Sequence, residues 1–327
     1  MSTTPEQPLL SVRDLVTRFR TERGEVTAVD RVSFDVAAGE TVAIVGESGS
    51  GKSVTALSIL RLIPNPPGRI ESGQIIFDGQ DLIKLSDPEI RAVRGNRIAM
   101  IFQEPMSSLN PSITIGRQVA EPINQHHDTP WGKALAKARE LLALVRMSDT
   151  ASRVNAYPHH FSGGMRQRAM IAMALACKPQ LIIADEPTTA LDVTVQAQIL
   201  DLLKDLAKGA RSALILITHD LGVVARYADR VVVMYAGRVV ESAPAAELYA
   251  RPRHPYTKGL MASVPRLDGD TDRRLVPIEG QPPNLAQLPP GCAFAPRCKQ
   301  ASDACRAARP ALRDIGTRHQ VACILEA

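Results

Sequence analysis

Between an apolar run, Thr41 to Val45, and a segment patterned for a helix, Val54 to Leu62, the chain reads Gly46-Glu47-Ser48-Gly49-Ser50-Gly51-Lys52-Ser53. A strand that turns into a helix through such a Gly-rich stretch ending on Lys-Ser has the pattern of a phosphate-binding loop. Successive backbone N–H groups around Gly49 and Gly51 can wrap an anion, and the helix N-terminus adds positive potential. In that chemistry Lys52 reaches the β- and γ-phosphates of a nucleotide, and the Ser53 hydroxyl completes a Mg²⁺ shell. A Gly- and Ser-rich turn without chemical purpose has the same composition, so the rest of the chain must decide.

The 327 residues can hold one large domain or two of ordinary size, and an apolar fraction of 45% suits a buried core. No apolar run approaches the roughly 20 residues of a membrane-spanning helix. Residues 1 to 10 lack a basic segment followed by an apolar one, so no secretory signal is expected. The chain is expected in the cytoplasm, with any membrane attachment made through partners. Its net charge of +5 comes from scattered Lys and Arg, and aromatic residues are only 4%. Without a basic block or a recognition pattern, nucleic acid is not an expected partner.

Short β-branched runs, Leu10-Ser11-Val12, Val26 to Val29 and Val32 to Val36, read as separate strands, and Ile75-Ile76-Phe77 before Asp78-Gly79 as a hairpin arm. From about Thr114 to Met147 the pattern turns helical, with Leu135, Leu141, Leu142 and Val145 near helical spacing. Leu181 to Ala184, Leu214 to Ile217 and Val231 to Met234 then alternate with helices such as Val195 to Leu206. That alternation predicts a parallel sheet covered by helices, with ligands at the carboxyl ends of its strands. Ala245 to Tyr249 is a last short helix, and frequent prolines mark the remainder of the chain as loop-rich.

Five further elements lie downstream of the loop. Gln103 lies in Ile101-Phe102-Gln103-Glu104-Pro105, and Ser162-Gly163-Gly164 in Phe161 to Arg168. Asp185-Glu186 ends Leu181-Ile182-Ile183-Ala184, Asp192 ends Thr189-Ala190-Leu191-Asp192, and His219 stands in Thr218-His219-Asp220. In kind and order these resemble the ATP-binding subunits of ABC transporters: Walker A, glutamine loop, signature, Walker B, D-loop and switch histidine. The resemblance implies an α/β fold of the P-loop NTPase type, an ABC nucleotide-binding domain with an antiparallel β subdomain and a helical insert. On this reading residues 1–250 form that domain, with the insert at about 104–165, and residues 251–327 form a small loop-rich C-terminal extension.

ATP and Mg²⁺ are the implied cofactors. Gly46, Glu47, Ser48, Gly49, Ser50, Gly51, Lys52 and Ser53 would hold the phosphates, and Phe19, ahead of the loop, would stack on adenine. Ser53, Asp185 and Gln103 would face the metal. Glu186 would serve as general base toward the attacking water, since its neighbour Asp185 is committed to the metal. His219 would contact the γ-phosphate and hold that water. Ser162, Gly163 and Gly164 would bind the ATP of a partner subunit, because one chain has no use for two anion caps at one nucleotide. Asp192 would hydrogen-bond across the dimer. Met165 stands where the family more often has Gln.

The last third narrows the resemblance. Arg253-His254-Pro255-Tyr256-Thr257-Lys258-Gly259-Leu260, Val264-Pro265-Arg266-Leu267, Pro282-Pro283-Asn284-Leu285 and the run from Pro289 to Cys298 resemble the D-type ATP-binding subunits of oligopeptide/dipeptide importers. This implies ATP hydrolysis driving peptide import, with a homologous second ATPase subunit, two membrane permeases and an extracytoplasmic substrate-binding protein as partners. Its place would be the cytoplasmic face of the inner membrane. The same machinery could carry a nickel complex or glutathione, and a soluble ABC ATPase is the more distant alternative. Cys292, Cys298, Cys305 and Cys323 are separated by five, six and seventeen residues, without the short knuckles of zinc ribbons. Four thiolates suit a [4Fe–4S] cluster, which the resemblance favours; zinc, free thiols or a disulfide are the alternatives. Cys177, in an apolar stretch, is expected in the core.

Overall fold

A computed structural model describes residues 7–22, 24–189, 191–263 and 277–326. The Val264 to Leu267 motif and Ala190 lie outside the described residues. The chain divides into two compact units, one formed by residues 1–37, 41–83 and 217–327, the other by residues 38–40 and 84–216.

The first unit contains an antiparallel sheet in the order Gly24–Val36, Leu10–Thr21, Gly68–Phe77, Gln80–Asp81. The polar Asp30-Arg31 break does not end a strand as its sequence suggests. Val26 to Val36 is continuous, and an extra residue is absorbed as a bulge, with Arg31 at φ 51°. A second bulge shifts the register of Leu10–Thr21 after Val12, where Asp14 takes φ 45°. Its effect is to bury Leu15, Val16 and Thr17 in succession, where strict alternation would expose one of them.

The same unit carries a second set of strands in the order Arg313–Gly316, His319–Val321, Arg238–Pro244, Arg230–Tyr235, Thr41–Val45. Thr41–Val45 runs parallel to Arg230–Tyr235, and the other pairings are antiparallel. Ala43, Val45, Val231 and Val233 are buried with Leu248, Tyr256 and Phe294 in one cluster. Each of the Val, Leu and Phe side chains contributes about 1.5–3 kcal/mol on burial. The Pro-rich C-terminal segment therefore shares the core beneath the strand that leads into Gly46–Ser53.

In the second unit Ile98–Ile101 and Leu181–Asp185 pair in parallel, and Ala213–Thr218 is next in order. All five residues of Leu181–Asp185 are buried, which explains an apolar run without alternation. The helical stretch read from Thr114 to Met147 is two helices, Ile115–His127 and Trp131–Leu144, broken where Asp128 turns left-handed before Pro130. The buried stripe of the second is Ala134, Ala138 and Leu142, while Leu135 is exposed. The contact face combines two alanines with Leu142, four residues apart along the helix. Among the described residues no helix is long and apolar enough to cross a membrane.

Candidate functional site

The loop after Thr41–Val45 is shaped by glycines that no other residue replaces. Gly46 has φ 152°, and a side chain there would strike the Met234 carbonyl. Gly51 has φ 101°, and a Cβ would lie 2.5 Å from the Ala28 carbonyl oxygen and 3.2 Å from Gly237 Cα. These close approaches lock the loop against its own unit. Gly237 N–H also donates to the Ser50 carbonyl at 2.9 Å. Lys52 begins the helix Lys52–Ile59, is buried, and donates from Nζ to the carbonyls of Gly46 at 2.8 Å and Glu47 at 3.1 Å. Ser48 and Gly49 are exposed, and the Ser50 hydroxyl is buried without a partner. An exposed Gly-rich cradle, an orphaned hydroxyl and an ammonium curled over its own loop fit an anion such as a nucleotide phosphate.

The C-terminal segment reaches this loop through two side chains. Tyr256 is fully buried, and its hydroxyl accepts the Glu47 N–H at 2.8 Å. Arg297 grips the Glu47 carboxylate with both terminal nitrogens, at 2.6 and 3.0 Å. That pairing raises the guanidinium pKa above its ordinary value. His254 explains why Tyr256 is placed so firmly. It caps the helix Pro255–Ala262, its Nδ1 accepting the Tyr256 N–H at 3.0 Å, with Pro255 at the first helical position. Glu241 in turn accepts the N–H groups of Arg253 and His254 and meets His319 Nε2 at 2.8 Å. The His-Pro-Tyr sequence is thus a helix start aimed at the loop.

Burial, with Lys258 adding to it, pushes the His254 imidazole from 6.5 down to about 4. Between those values the unfolded chain binds more protons than the folded one. The neutral ring therefore stabilises the fold fully above about pH 6.5, and that contribution is lost as pH falls toward 4. His254→Asn keeps a capping acceptor and removes the titration. Its thermal midpoint is expected to fall less than that of the wild type between about pH 7 and pH 5. Parallel pH profiles for the two proteins would contradict this.

Phe19 is half-buried and lies against Gly68, where a Cβ would come within 2.6 Å of its ring. His219 is exposed at the end of Ala213–Thr218. Its neighbours fix the turn: Thr218 Oγ1 accepts the Asp220 N–H, and Asp220 caps Leu221–Tyr227.

In the second unit Asp185 is buried at its strand end and Glu186 comes next at φ 44°. Such left-handed backbone is costly for a residue other than glycine and concentrates at functional sites. The Glu186 carboxylate accepts from Gln103 Nε2 at 3.1 Å and Thr189 Oγ1 at 3.0 Å. The structure therefore brings two predicted site residues, Gln103 and Glu186, into direct contact. Ser162 caps the helix Gly163–Ala174, with the Met165 N–H donating to its hydroxyl. Gly163 and Gly164 face Leu191 and Val195 so closely that a Cβ at Gly164 would come within 2.9 Å of Val195. Asp192 caps Val193–Ala210, accepting the Val195 N–H at 2.9 Å.

The expected [4Fe–4S] cluster is corrected by the structure. Among the described residues no group of three or more His, Cys, Asp or Glu is placed to hold a metal ion. Cys292, Cys298, Cys305 and Cys323 do line one apolar cavity, together with His254 and Phe294. Burial, however, pushes the Cys292 and Cys323 thiols up, away from the thiolate that metal ligation needs. Cys305 is engaged with Ser302, whose hydroxyl and N–H hold its thiol below the ordinary value. Spacing supplied the right number of thiols but not their arrangement. Cys177 is half-buried, and burial raises its thiol to about 11. Tyr256 and Arg297 stand in sequence motifs that assign neither of them a role. No local signal connects them to Glu47, which lies 209 and 250 residues away.

Comparison with known proteins bears on this geometry. Residues 29–189 match the family described as ABC transporter, and residues 240–305 the family described as oligopeptide/dipeptide transporter, C-terminal region. The chain is 55% identical to a probable peptide ABC transporter ATP-binding protein of Sinorhizobium fredii, covering 96% of this chain and 94% of the relative. It is 52% identical to an oligopeptide transport ATP-binding protein of Bacillus subtilis, covering 96% of this chain and 87% of that one. An ATP-binding cassette solved as a dimer in a post-hydrolysis state with ADP and Pi superposes with a TM-score of 0.65 at 27% identity. The match covers 72% of this chain and 98% of the cassette.

Proposed function

Because the chain belongs to the family of ATP-binding proteins of ABC transporters, in the branch with the oligopeptide/dipeptide C-terminal region, we propose that it is the ATP-hydrolysing subunit of a peptide importer. The observation that carries this reading is the Gly46–Ser53 loop, whose exposed backbone and buried Lys52 fit the phosphates of a nucleotide. Bound Mg²⁺·ATP supplies the γ-phosphoryl group and the charge neutralisation for its transfer to water. The loop N–H groups and Lys52 hold the phosphates, and Phe19 stacks on the base. Ser53, Asp185 and Gln103 serve the metal. Glu186 takes the proton of the attacking water, and His219 holds that water in line. The carboxylate suits this role because Gln103 and Thr189 fix one of its oxygens by hydrogen bonds.

Ser162, Gly163 and Gly164 present a helix N-terminus that serves the nucleotide of a second ATPase subunit, and Asp192 reaches toward that subunit. The dimeric state of the post-hydrolysis cassette supports this arrangement. Two permeases and an extracytoplasmic binding protein complete the importer, so the chain works at the cytoplasmic face of the inner membrane. ATP favours the closed dimer over the open one and shifts its population, which moves the permeases.

The purified chain alone is therefore expected to hydrolyse ATP poorly. Its turnover should rise with protein concentration, and further on addition of the homologous subunit and permeases. Phosphate release measured across a dilution series tests this. Full activity in a strictly monomeric preparation, unchanged by dilution, would contradict the shared site.

A further inference from the structure

Glu47 places a carboxylate at the second position of a loop built to receive phosphates. Left unpaired, its negative charge would oppose an anionic ligand on the same loop. Arg297 neutralises it. Its side chain is only 6% exposed, and all five of its N–H groups find acceptors. Two go to the two Glu47 oxygens, one to the Tyr235 hydroxyl at 3.4 Å, and two to the carbonyls of Ile278 and Glu279 at 3.3 and 3.0 Å. Such a fork-on-fork pair fixes geometry as well as charge. Tyr256 adds a second tether at the Glu47 N–H, and the Tyr235, Tyr256 and Phe294 rings pack on one another with centroids 4.6 to 5.4 Å apart. The loop is thereby held from the C-terminal segment by one charged and one neutral contact.

We propose that Arg297 is a positioning residue of the nucleotide site: by neutralising and fixing Glu47 it makes phosphate affinity depend on the docked C-terminal segment. This rests on the reading of Gly46–Ser53 as an ATP site. Loss of Arg297 leaves an unpaired carboxylate on the phosphate-binding loop, so the defect should appear in binding. It should be relieved when Glu47 loses its charge. A merely structural tie would behave differently. Arg309 provides the comparison, since it ties the same segment to Asp30 at 3.2 Å and to the Gly291 and Pro289 carbonyls without touching the loop.

The test is displacement of a fluorescent nucleotide by Mg²⁺·ATP on the full chain, with thermal midpoints measured in parallel. Arg297→Met is expected to weaken ATP affinity roughly tenfold, the low end for a charge-assisted bidentate pair. Arg297→Lys should fall between it and wild type, because a point charge cannot fork. Arg309→Met should change affinity less than about twofold even if its midpoint drops, since its partly exposed ion pair makes no hydrogen bond to the loop and Asp30 keeps Arg238 as a partner. Adding Glu47→Gln to Arg297→Met should recover most of the lost affinity. Wild-type affinity in Arg297→Met, an equal loss in Arg309→Met, or no recovery in the double variant would each overturn the proposal. A wild-type chain that binds no ATP would instead remove the nucleotide reading on which it rests.

Discussion

Replacing Glu186 by glutamine is expected to leave ATP binding intact while lowering steady-state hydrolysis by roughly two to four orders of magnitude, the range attributed to a positioned general base. The amide is nearly isosteric, and its carbonyl oxygen can still accept from Gln103 Nε2 and Thr189 Oγ1, so the local fold survives. What it loses is the ability to take a proton from water. The left-handed backbone at Glu186 is unchanged by the substitution, which removes strain relief as a competing cause. ATP should then persist on the protein, and the dimer with the second ATPase subunit should become easier to isolate. Turnover like that of the wild type would assign the base elsewhere.

Lys52→Ala is expected to act on binding. Lys52 Nζ now rests on the Gly46 and Glu47 carbonyls, and in the ATP complex it would turn to the phosphates. A charge-assisted hydrogen bond contributes about 1.5–3 kcal/mol, so affinity should fall about ten- to a hundredfold. The buried position of Lys52 makes a stability change a second expected effect. A thermal midpoint measured with and without nucleotide separates the two. The wild-type midpoint should rise with ATP, and that of the variant should rise little.

Features set by neighbouring residues were legible in the sequence. Gly46 to Ser53, the Asp185-Glu186 strand end and the Ser162 start of a helix all owe their form to residues a few positions away, and each lies where its pattern put it. Features set by packing were not. The Asp30-Arg31 break became a bulge because Gly24–Val36 is held along its length by Leu10–Thr21. Ala134, Ala138 and Leu142, four residues apart, form the buried face of their helix because neighbouring helices cover that side, while Leu135 faces out. Four cysteines were readable as a set, and they do line one apolar cavity, but among the described residues no such group is placed to hold a metal ion. The tethers from Tyr256 and Arg297 to Glu47 exist only once the C-terminal segment shares a core with Thr41–Val45.

The central claim is that Gly46–Ser53 is an ATP phosphate site serving hydrolysis. Its most direct test is to follow bound nucleotide and released phosphate in one preparation of the assembled transporter, comparing wild type, Glu186→Gln and Lys52→Ala. The account predicts turnover in the wild type, retained ATP without turnover in Glu186→Gln, and little nucleotide of either kind on Lys52→Ala. ATP bound and hydrolysed by Lys52→Ala as by the wild type would contradict it.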